Sequence, residues 1–290
     1  MTVLMRKERA VRRKRLLLFF AMIAVVAVSG CSKQAEEPTV DPVVAPPVIG
    51  EAGVLRAGVD LGYPPFAGKD GGAEAGIDVD IAAALADRMG LTLKIVDIGQ
   101  SGAAEALGAG DIDIALGALP ITDAVLADVA FAGSYLVDGP AFFSFDSSAS
   151  ADSSAVAPTV SADALGGSRV GAQQGSAAFW MLEREYGEGF AAAYPTLAEA
   201  LSALAAGELD VVAGDAAVGA YLARDHPGVV YAGQYGPGAP LGVAIAKDSV
   251  ELESVVREIL DALSAEGVLD TIRSKWLGAL PTLSAAFEGE

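Results

Sequence analysis

The chain has 290 residues, of which 52% are hydrophobic and 7% aromatic, and its 38 acidic and 19 basic residues give a net charge of −19. This length and this hydrophobic content suffice for two modest domains or one large one, with a real core. The acidic excess argues against a nucleic-acid partner, which would require basic patches. The chain has a single cysteine, which cannot form an internal disulfide.

The first 30 residues have the composition of an export signal. A basic block at residues 6–15 precedes an apolar run at 16–28, which is shorter than the roughly 20 residues that a membrane-spanning helix needs. The sequence VSGC that follows, residues 28–31, is similar to a bacterial lipobox. We therefore expect Cys31 to become the first mature residue and to anchor the exported protein, through a lipid, to the outer face of the cell membrane or its periplasmic side. The alternative is an incidental cysteine after an ordinary signal peptide.

Removal of the signal segment makes the chain still more acidic, because residues 1–30 hold seven basic residues and one acidic residue and the remainder has a net charge of −25. Residues 31–52 are rich in proline and lack periodicity, which predicts an extended, lipid-anchored linker. The folded part is expected to begin near Val54.

Strands and helices are predicted to alternate in the first part of the folded region. Ile81, Leu85 and Met89 share one face of a predicted helix that ends at Gly90, and Thr122 is the expected N-cap of another. This order favours an α/β fold with a mainly parallel sheet. The predicted elements are a strand at 54–60, a helix at 78–89, a strand at 91–98, a helix at 103–107, a strand at 111–117 and a helix at 122–129.

A second part with the same alternation begins at Phe142. Ser176 is expected to start a helix, Thr196 and Glu199 form a capping box, and Asp215 is placed to cap a further helix. The predicted elements are a surface loop at 147–164, a strand and turn at 168–175, helices at 176–186 and 196–207, a strand at 208–214, a helix at 216–224 and, after the segment LGVAIAK at 241–247, helices at 250–264 and 267–277.

One twelve-residue pattern occurs twice, as ALGAGDIDIALG at residues 106–117 and as ALAAGELDVVAG at 203–214. In each copy a short helix ends at glycine, one acidic residue follows, and a strand then ends at glycine. Open α/β sheets bind ligands beyond the carboxyl ends of their strands, so residues 118–122 and Asp215 are expected to face a ligand between two similar lobes. The alternative is that such units recur by composition in a chain rich in alanine and glycine.

Several segments, taken in order, resemble the bacterial extracellular solute-binding proteins of family 3, the amino-acid-binding type that serves ABC importers. The resemblance covers roughly residues 53–278. It rests on GVDLGYPPF (58–66), GIDVDIAAALADRMG (76–90), ALGAGDIDIALGALPIT (106–122), RVGAQQGS (169–176), GELDVVAGDAAVGAYL (207–222) and SKWLG (274–278).

The resemblance implies a two-lobed periplasmic-binding-protein fold of type II, with two parallel-sheet lobes joined by two hinge strands. It places lobe 1 at residues 53–141 and 243–280, lobe 2 at 142–242, and a tail at 281–290. The implied function is capture of a small polar solute, an amino acid or an amine-bearing derivative, by hinge closure of the lobes. The implied partners are a permease and its ATPase on separate chains, and we expect the binding protein itself to be a monomer.

The resemblance also assigns a ligand site, in which Asp215 would hold the α-ammonium through a charge-assisted hydrogen bond. Asp60 and Tyr63 match residues that touch the ligand side chain. Asp215 has the alternative role of a plain helix cap, and the aromatic side chains of the first lobe have that of simply filling its core. The remaining candidates are Phe66, Gly117, Ala118, Leu119, Thr122, Gln173 and Ser176.

The chain departs from the family pattern at the carboxylate clamp. The position at which relatives carry an arginine is Val125, and hydroxyl positions fall on Ala118, Pro120 and Ala177. Loss of the guanidinium removes a bidentate donor, which predicts a ligand with an amine and no standard carboxylate pairing. Such a ligand is a small amine, an amide-like compound or an amino acid in an altered pose. The helix start at Ser176 offers a partial replacement for the missing donor.

Two other functions are consistent with the fold that the resemblance implies. A dehydratase or lyase would need a positioned acid or base, and the one histidine, His226, lies in a turn after a helix. The sequence has no P-loop, no metal-ligand cluster and no dinucleotide fingerprint, so neither a cofactor nor a metal is expected. A ligand sensor without a transport role is the second alternative.

Overall fold

The chain folds into two five-stranded sheets flanked by helices, as described by a computed structural model for residues 41–148, 159–161 and 165–285. A short hairpin, β2–β3, stands apart from both sheets. The strands are β1 Val54–Val59, β2 Gly68–Asp70, β3 Ala73–Ala75, β4 Thr92–Asp97, β5 Ile114–Ala115, β6 Ala130–Asp138, β7 Pro140–Phe145, β8 Val170–Gln173, β9 Ala192–Tyr194, β10 Val211–Asp215, β11 Val229–Gln234 and β12 Ala239–Ile245. The helices are α1 Ile77–Met89, α2 Ala103–Ala109, α3 Asp123–Leu126, α4 Ala177–Tyr186, α5 Leu197–Ala205, α6 Ala216–Ala223, α7 Val250–Ala265 and α8 Val268–Leu277.

The two sheets have equivalent topologies. The first has the strand order β4-β1-β5-β12-β6 and the second β9-β8-β10-β7-β11. In each sheet the first three strands are parallel, the fourth is antiparallel to both neighbours, and the fifth therefore points the same way as the first three. Four of the five strands thus share one direction, which confirms the predicted α/β class with mostly parallel sheets.

The repeated pattern forms the centre of each sheet, as α2–β5 in the first and α5–β10 in the second. Arg56 donates from Nε and Nη2 to Asp113 at 3.1 and 2.7 Å, and from Nη1 at 2.7 Å to the carbonyl of the glycine that ends α2. Arg169 repeats these contacts with Asp210, at 3.1 and 2.6 Å, and with the glycine after α5, at 2.8 Å. The sequence repeat therefore forms the same unit twice: a short helix, an arginine–aspartate clamp and a strand. The two clamps are Arg56–Asp113 and Arg169–Asp210.

The chain passes between the sheets twice, and the two crossings touch. Gly139 is the single residue between β6 and β7, and Gly238 precedes β12. A Cβ on Gly139 would lie 2.7 Å from the Cα of Gly238, so the approach requires glycine. The C-terminal segment lies across this point, because the side-chain amide of Gln234 donates to the carbonyl of Ser284 at 2.7 Å and accepts from its N–H at 2.9 Å. The lobe boundaries stay a prediction.

The folded region starts earlier than the sequence indicated. Val44 and Ile49 are buried in the core, the N–H of Val43 donates to Met89, and that of Gly50 donates to Asp113 at 2.8 Å. The expectation that folding begins near Val54 is therefore wrong, since two isolated apolar side chains in a proline-rich segment pack without giving any periodic pattern.

Two predicted elements are shorter in the structure. The helix expected at 122–129 is the single turn α3, and the strand expected at 111–117 pairs only at Ile114–Ala115. The export signal at 1–30, Cys31, most of the 147–164 loop and the end of the 281–290 tail lie outside the described residues. Within the described ranges, no helix combines the length and the hydropathy that crossing a membrane requires.

Candidate functional site

In each sheet, the carboxyl ends of two parallel strands bring candidate residues to one edge. In the first sheet, Gly58 pairs with Ala115, so Asp60 and Gly117 follow neighbouring strands. In the second sheet, Ala172 of β8 pairs with Ala213 of β10, so Gln173 ends its strand level with Gly214, one residue before Asp215. These are the edges at which open α/β sheets bind ligands.

An aromatic turn follows β1. The N–H of Tyr63 donates to the carbonyl of Asp60 at 3.2 Å, and the Asp60 carboxylate accepts from the N–H of Gly62 at 2.9 Å. Tyr63 is half-buried and stacks on Phe66 at 5.2 Å between ring centroids. Phe66 itself is fully buried in the core, so it supports Tyr63 from behind and offers no exposed face of its own.

The aromatic turn is fixed to the start of α1. The N–H of Asp78 donates to the carbonyl of Phe66 at 2.9 Å. Gly76 has a φ of 146°, and a Cβ there would lie 2.1 Å from the same carbonyl oxygen. A glycine is therefore required for the helix and the turn to meet.

The loop after β5 is held in an uncommon conformation. Ala118 has a φ of 52° and is the one non-glycine with a positive φ among the described residues, a conformation that costs free energy and is enriched at functional sites. The carbonyl of Leu119 accepts from Gly242 at 3.0 Å, and Leu119 packs on a neighbouring apolar cluster. Thr122 occupies the N-cap position of α3, but its hydroxyl makes no capping bond.

Asp78 is a buried carboxylate beneath this loop. The hydroxyl of Tyr135 donates to its Oδ1 at 2.7 Å, while Oδ2 has no hydrogen-bond partner. Burial raises the pKa of Asp78 to about 7, although Tyr135 and the backbone N–H groups of Ala118 and Gly117 lower it. Burial also raises the pKa of Tyr135 well above its usual value, and the charge of Asp78 adds to the effect.

Asp138 and Asp215 lie at the N-terminus of α6. Asp215 is in the N-cap position, yet its side chain makes no capping bond. Oδ1 of Asp138 instead accepts from the N–H of Ala217, in the first turn of α6, at 2.9 Å. Burial raises the pKa of Asp138 to about 6, with a further contribution from the charge of Asp215, and burial raises the pKa of Asp215 as well.

Tyr63 links the two sets of residues electrostatically. Burial raises the pKa of its hydroxyl to about 12, and the carboxylates of Asp215, Asp138, Asp60 and Asp78 add to the effect in that order. Residues from both sheets therefore act on one phenol, and the charges acting on it are all negative.

The remaining candidates at the second sheet are less directly engaged. The hydroxyl of Ser176 accepts from the N–H of Phe179 at 3.1 Å, as expected of the N-cap of α4, and Gln173 is exposed. Val125, at the position where the arginine clamp was expected, packs against an apolar cluster beneath the first sheet.

Sequence reasoning missed Asp78 and Asp138. Asp78 lies on the same helical face as Ile81 and Leu85, so its placement among buried positions was a usable signal. Asp138 had a weaker signal, an acidic residue directly before a glycine–proline pair.

The one histidine of the chain lies away from Asp215. His226 lies beyond the C-terminal end of α6, while Asp215 lies at its N-terminal end, and the eight-residue helix between them is roughly 12 Å long. The described part of the chain has no group of three or more histidine, cysteine, aspartate or glutamate residues that could hold a metal ion.

Comparison with known proteins agrees with this geometry. The profile of the bacterial extracellular solute-binding proteins, family 3, matches residues 55–279. The L-arginine-binding protein of Pseudomonas aeruginosa is 31% identical over 235 residues, which are 77% of this chain and 87% of that protein. The lysine/arginine/ornithine-binding periplasmic protein of Escherichia coli is 28% identical over 236 residues, 77% of this chain and 86% of that protein.

Solved structures give the same result. An ancestral cationic amino acid solute-binding protein is 28% identical, with a TM-score of 0.64, and the match covers 78% of this chain and 96% of that one. The L-cystine solute receptor of Neisseria gonorrhoeae has a TM-score of 0.66 at 18% identity, over 80% of this chain and 95% of that one, which supports the fold alone. The type II periplasmic-binding fold is thereby confirmed, and the chain belongs to the bacterial extracellular solute-binding proteins of family 3.

Proposed function

We propose that this chain is the extracytoplasmic binding protein of an ABC importer and that it captures an amine-bearing solute of the amino-acid type between its two sheets. The permease and the ATPase are separate chains. Cys31 carries the lipid that anchors the protein, after removal of residues 1–30 as a signal peptide. Closure around the ligand occurs at the paired crossings beside Gly139 and Gly238.

The observation that carries this proposal is the state of Asp215. It lies at the carboxyl end of β10, half-buried, and no described residue donates a hydrogen bond to its carboxylate. Asp138 caps α6 instead of Asp215, so Asp215 does not act as the helix cap. A half-buried carboxylate without donors is suited to an ammonium group that arrives with the ligand.

The relatives support the class of ligand. The two relatives described above bind arginine, or lysine, arginine and ornithine, as their names state. Two solved structures are of an ancestral arginine-binding protein, one bound to arginine and one to glutamine. All of these ligands carry an ammonium group, which is the group that we propose Asp215 binds.

We infer that the chain is a binding protein and not an enzyme. One matched structure is described as a precursor of cyclohexadienyl dehydratase, and it is itself an amino-acid-binding protein. Catalysis on this fold would require an acid or base facing the ligand. His226 lies at the far end of α6 from Asp215, and Asp215 has the partner-free state expected of a binding group.

A thermal-shift screen against the twenty amino acids and a panel of amines and amides tests this function. A ligand that binds only the folded chain, at about 100 times its Kd, raises the melting temperature by about 5 °C or more. The shift is expected to disappear in Asp215→Asn and to persist in Asp225→Asn, which removes a charge at the other end of α6. No shift with any member of the panel, or an equal loss in both variants, contradicts the proposal.

A further inference from the structure

Carboxylates lie on both sides of the candidate ligand site, and none of the described residues assigned to the site is basic. On the side of the second sheet, Asp138 and Asp215 lie at one helix end. On the side of the first sheet, Asp60 follows β1 at the start of the aromatic turn. Each carboxylate is strictly a hydrogen-bond acceptor when it is ionised, so the donors must come from the ligand.

The pair at α6 shows this most clearly. One helix N-terminus can favour nearby negative charge, and Asp138 already accepts the hydrogen bond of the first-turn N–H of Ala217. Asp215 stands beside it with no donor. Two neighbouring, half-buried carboxylates disfavour each other's ionised form, and a cation placed between them removes that penalty.

A second, independent feature lies at the first sheet. Oδ2 of Asp78 is fully buried and has no hydrogen-bond partner. The carboxylate lies against the backbone of Gly117 and Ala118, the strand-end residues of the site, and its charge reaches the hydroxyl of Tyr63. In its ionised form, this buried group adds negative potential behind the face that the ligand meets.

Nine of the eleven basic residues of the described chain make hydrogen bonds or ion pairs elsewhere, and the other two, Lys69 on β2 and Arg184 in the last turn of α4, are not among the candidate site residues. Arg224 and Lys247 donate to backbone carbonyls away from the site, and Val125 packs as an apolar side chain where an arginine clamp was expected. Seven basic residues form ion pairs with acidic ones outside the site, namely Arg56, Arg88, Lys94, Arg169, Arg257, Arg273 and Lys275.

We propose that the ligand is an organic dication without a carboxylate, with one cationic group held by Asp215 and Asp138 and the other facing Asp60 beside Tyr63. This inference rests on the proposed function and narrows its ligand class. A ligand carboxylate would meet at least three like charges in the cleft with no bidentate donor to offset them, and like charges in contact oppose binding strongly. Tyr63 adds an aromatic face that attracts cations.

Calorimetric titration of the purified chain with matched pairs of compounds tests the proposal. Each pair consists of an amino acid and its decarboxylation product: arginine and agmatine, lysine and cadaverine, ornithine and putrescine. For at least one pair, the dication is expected to bind about tenfold tighter than the amino acid, or better still. The comparison isolates the carboxylate, because the rest of each pair is the same.

Single substitutions test where the second cationic group of the ligand binds. Asp60→Asn keeps the acceptor for Gly62 but removes the charge, and it is expected to weaken dication binding about tenfold. Asp225→Asn, a matched loss of charge at the far end of α6, is expected to leave binding unchanged. Val125→Arg restores a cation and is expected to shift the preference toward the amino acid of the pair.

The outcomes separate this proposal from the function on which it rests. If the amino acids bind as tightly as the dications or more tightly, the dication proposal is wrong and the proposed capture of a solute still holds. The same conclusion follows if a neutral amino acid such as glutamine binds and no dication does. If no compound of the pairs or of the wider panel binds, both fail. Unchanged dication binding in Asp60→Asn overturns the placement of the second cationic group.

Discussion

Oδ1 of Asp138 accepts a hydrogen bond from the backbone N–H of Ala217 at 2.9 Å, across 79 positions of the chain. The contact joins the end of β6 in one sheet to the first turn of α6, which packs on the other. It therefore holds the first crossing against the edge of the second sheet at which Asp215 lies. It also leaves the carboxylate of Asp215, the residue that precedes α6, available for a ligand.

The capping contact predicts a difference between two substitutions at one position. Asp138→Asn keeps an oxygen acceptor for the N–H of Ala217, whereas Asp138→Ala removes it. The alanine variant is expected to have a free energy of unfolding about 1 kcal/mol lower than the asparagine variant, the usual worth of a helix cap. Urea denaturation of the two variants measures this gap. The same pair of changes at Asp215 is the control, and a gap there as large as at Asp138 contradicts the assignment of the cap.

The duplicated clamps are expected to differ in their contribution to stability. The side chain of Asp113 is 3% exposed and that of Asp210 is 45% exposed, although both bind an arginine in the same geometry. Asp113→Ala leaves Arg56 as a largely buried, unpaired cation and is expected to cost about 3 kcal/mol. Asp210→Ala is expected to cost much less, because solvent screens an exposed pair. If both variants lose the same free energy of unfolding in denaturation experiments, burial does not determine how much each clamp contributes to stability.

The Asp78–Tyr135 contact predicts that the loss of stability caused by Tyr135→Phe depends on pH. The pKa of Asp78 is raised to about 7 from its ordinary value of 3.8, so the folded state holds its proton more tightly than the unfolded state does. This contribution to stability is complete below about pH 4 and is lost as the pH rises through 7. Tyr135→Phe removes the donor to the carboxylate and is therefore expected to cost more at pH 8 than at pH 5, by about 1 kcal/mol.

Melting curves at the two pH values measure this difference. Tyr194→Phe is the matched control, because no described residue bonds the hydroxyl of Tyr194, and its effect should be the same at both pH values. A cost of Tyr135→Phe that is independent of pH would mean that Asp78 does not change its charge in this range.

The contact between the crossings predicts an effect of adding one methyl group. Gly139→Ala places a Cβ 2.7 Å from the Cα of Gly238, and backbone cannot yield as a flexible side chain does. We expect a destabilisation of about 1–3 kcal/mol, together with weaker ligand binding, because the hinge is displaced. Gly166→Ala is the control, since a Cβ there meets nothing within 4 Å. Similar melting temperatures for both variants would argue against tight packing of the crossings.

Local pattern predicted much of the fold. The buried face of α1 with Ile81, Leu85 and Met89, and the side-chain caps of α4 and α5 by Ser176 and Thr196, are confirmed. These features depend on residues three to four positions apart, which periodicity and capping rules describe well.

Contacts between distant parts of the chain could not be predicted in this way. Asp138 caps a helix 79 positions later, and Ile49 fills the core from a segment without periodicity. At the site, the strand ends were placed by the repeat, but the isolation of Asp215 depends on which of two acidic residues takes the helix N–H. Local rules select the wrong residue, since Asp215 is in the better sequence position for a cap and Asp138 makes the bond.

A crystal structure of the chain with a compound selected in the thermal-shift screen tests the central claim most directly. The distance to measure joins the ligand nitrogen to the nearest carboxylate oxygen of Asp215. We predict a charge-assisted hydrogen bond of about 2.8 Å, with the ligand also against Tyr63 and the two sheets closed around it. A ligand bound away from Asp215, for example in the groove beside Ser134 and Arg273, would contradict capture between the sheets.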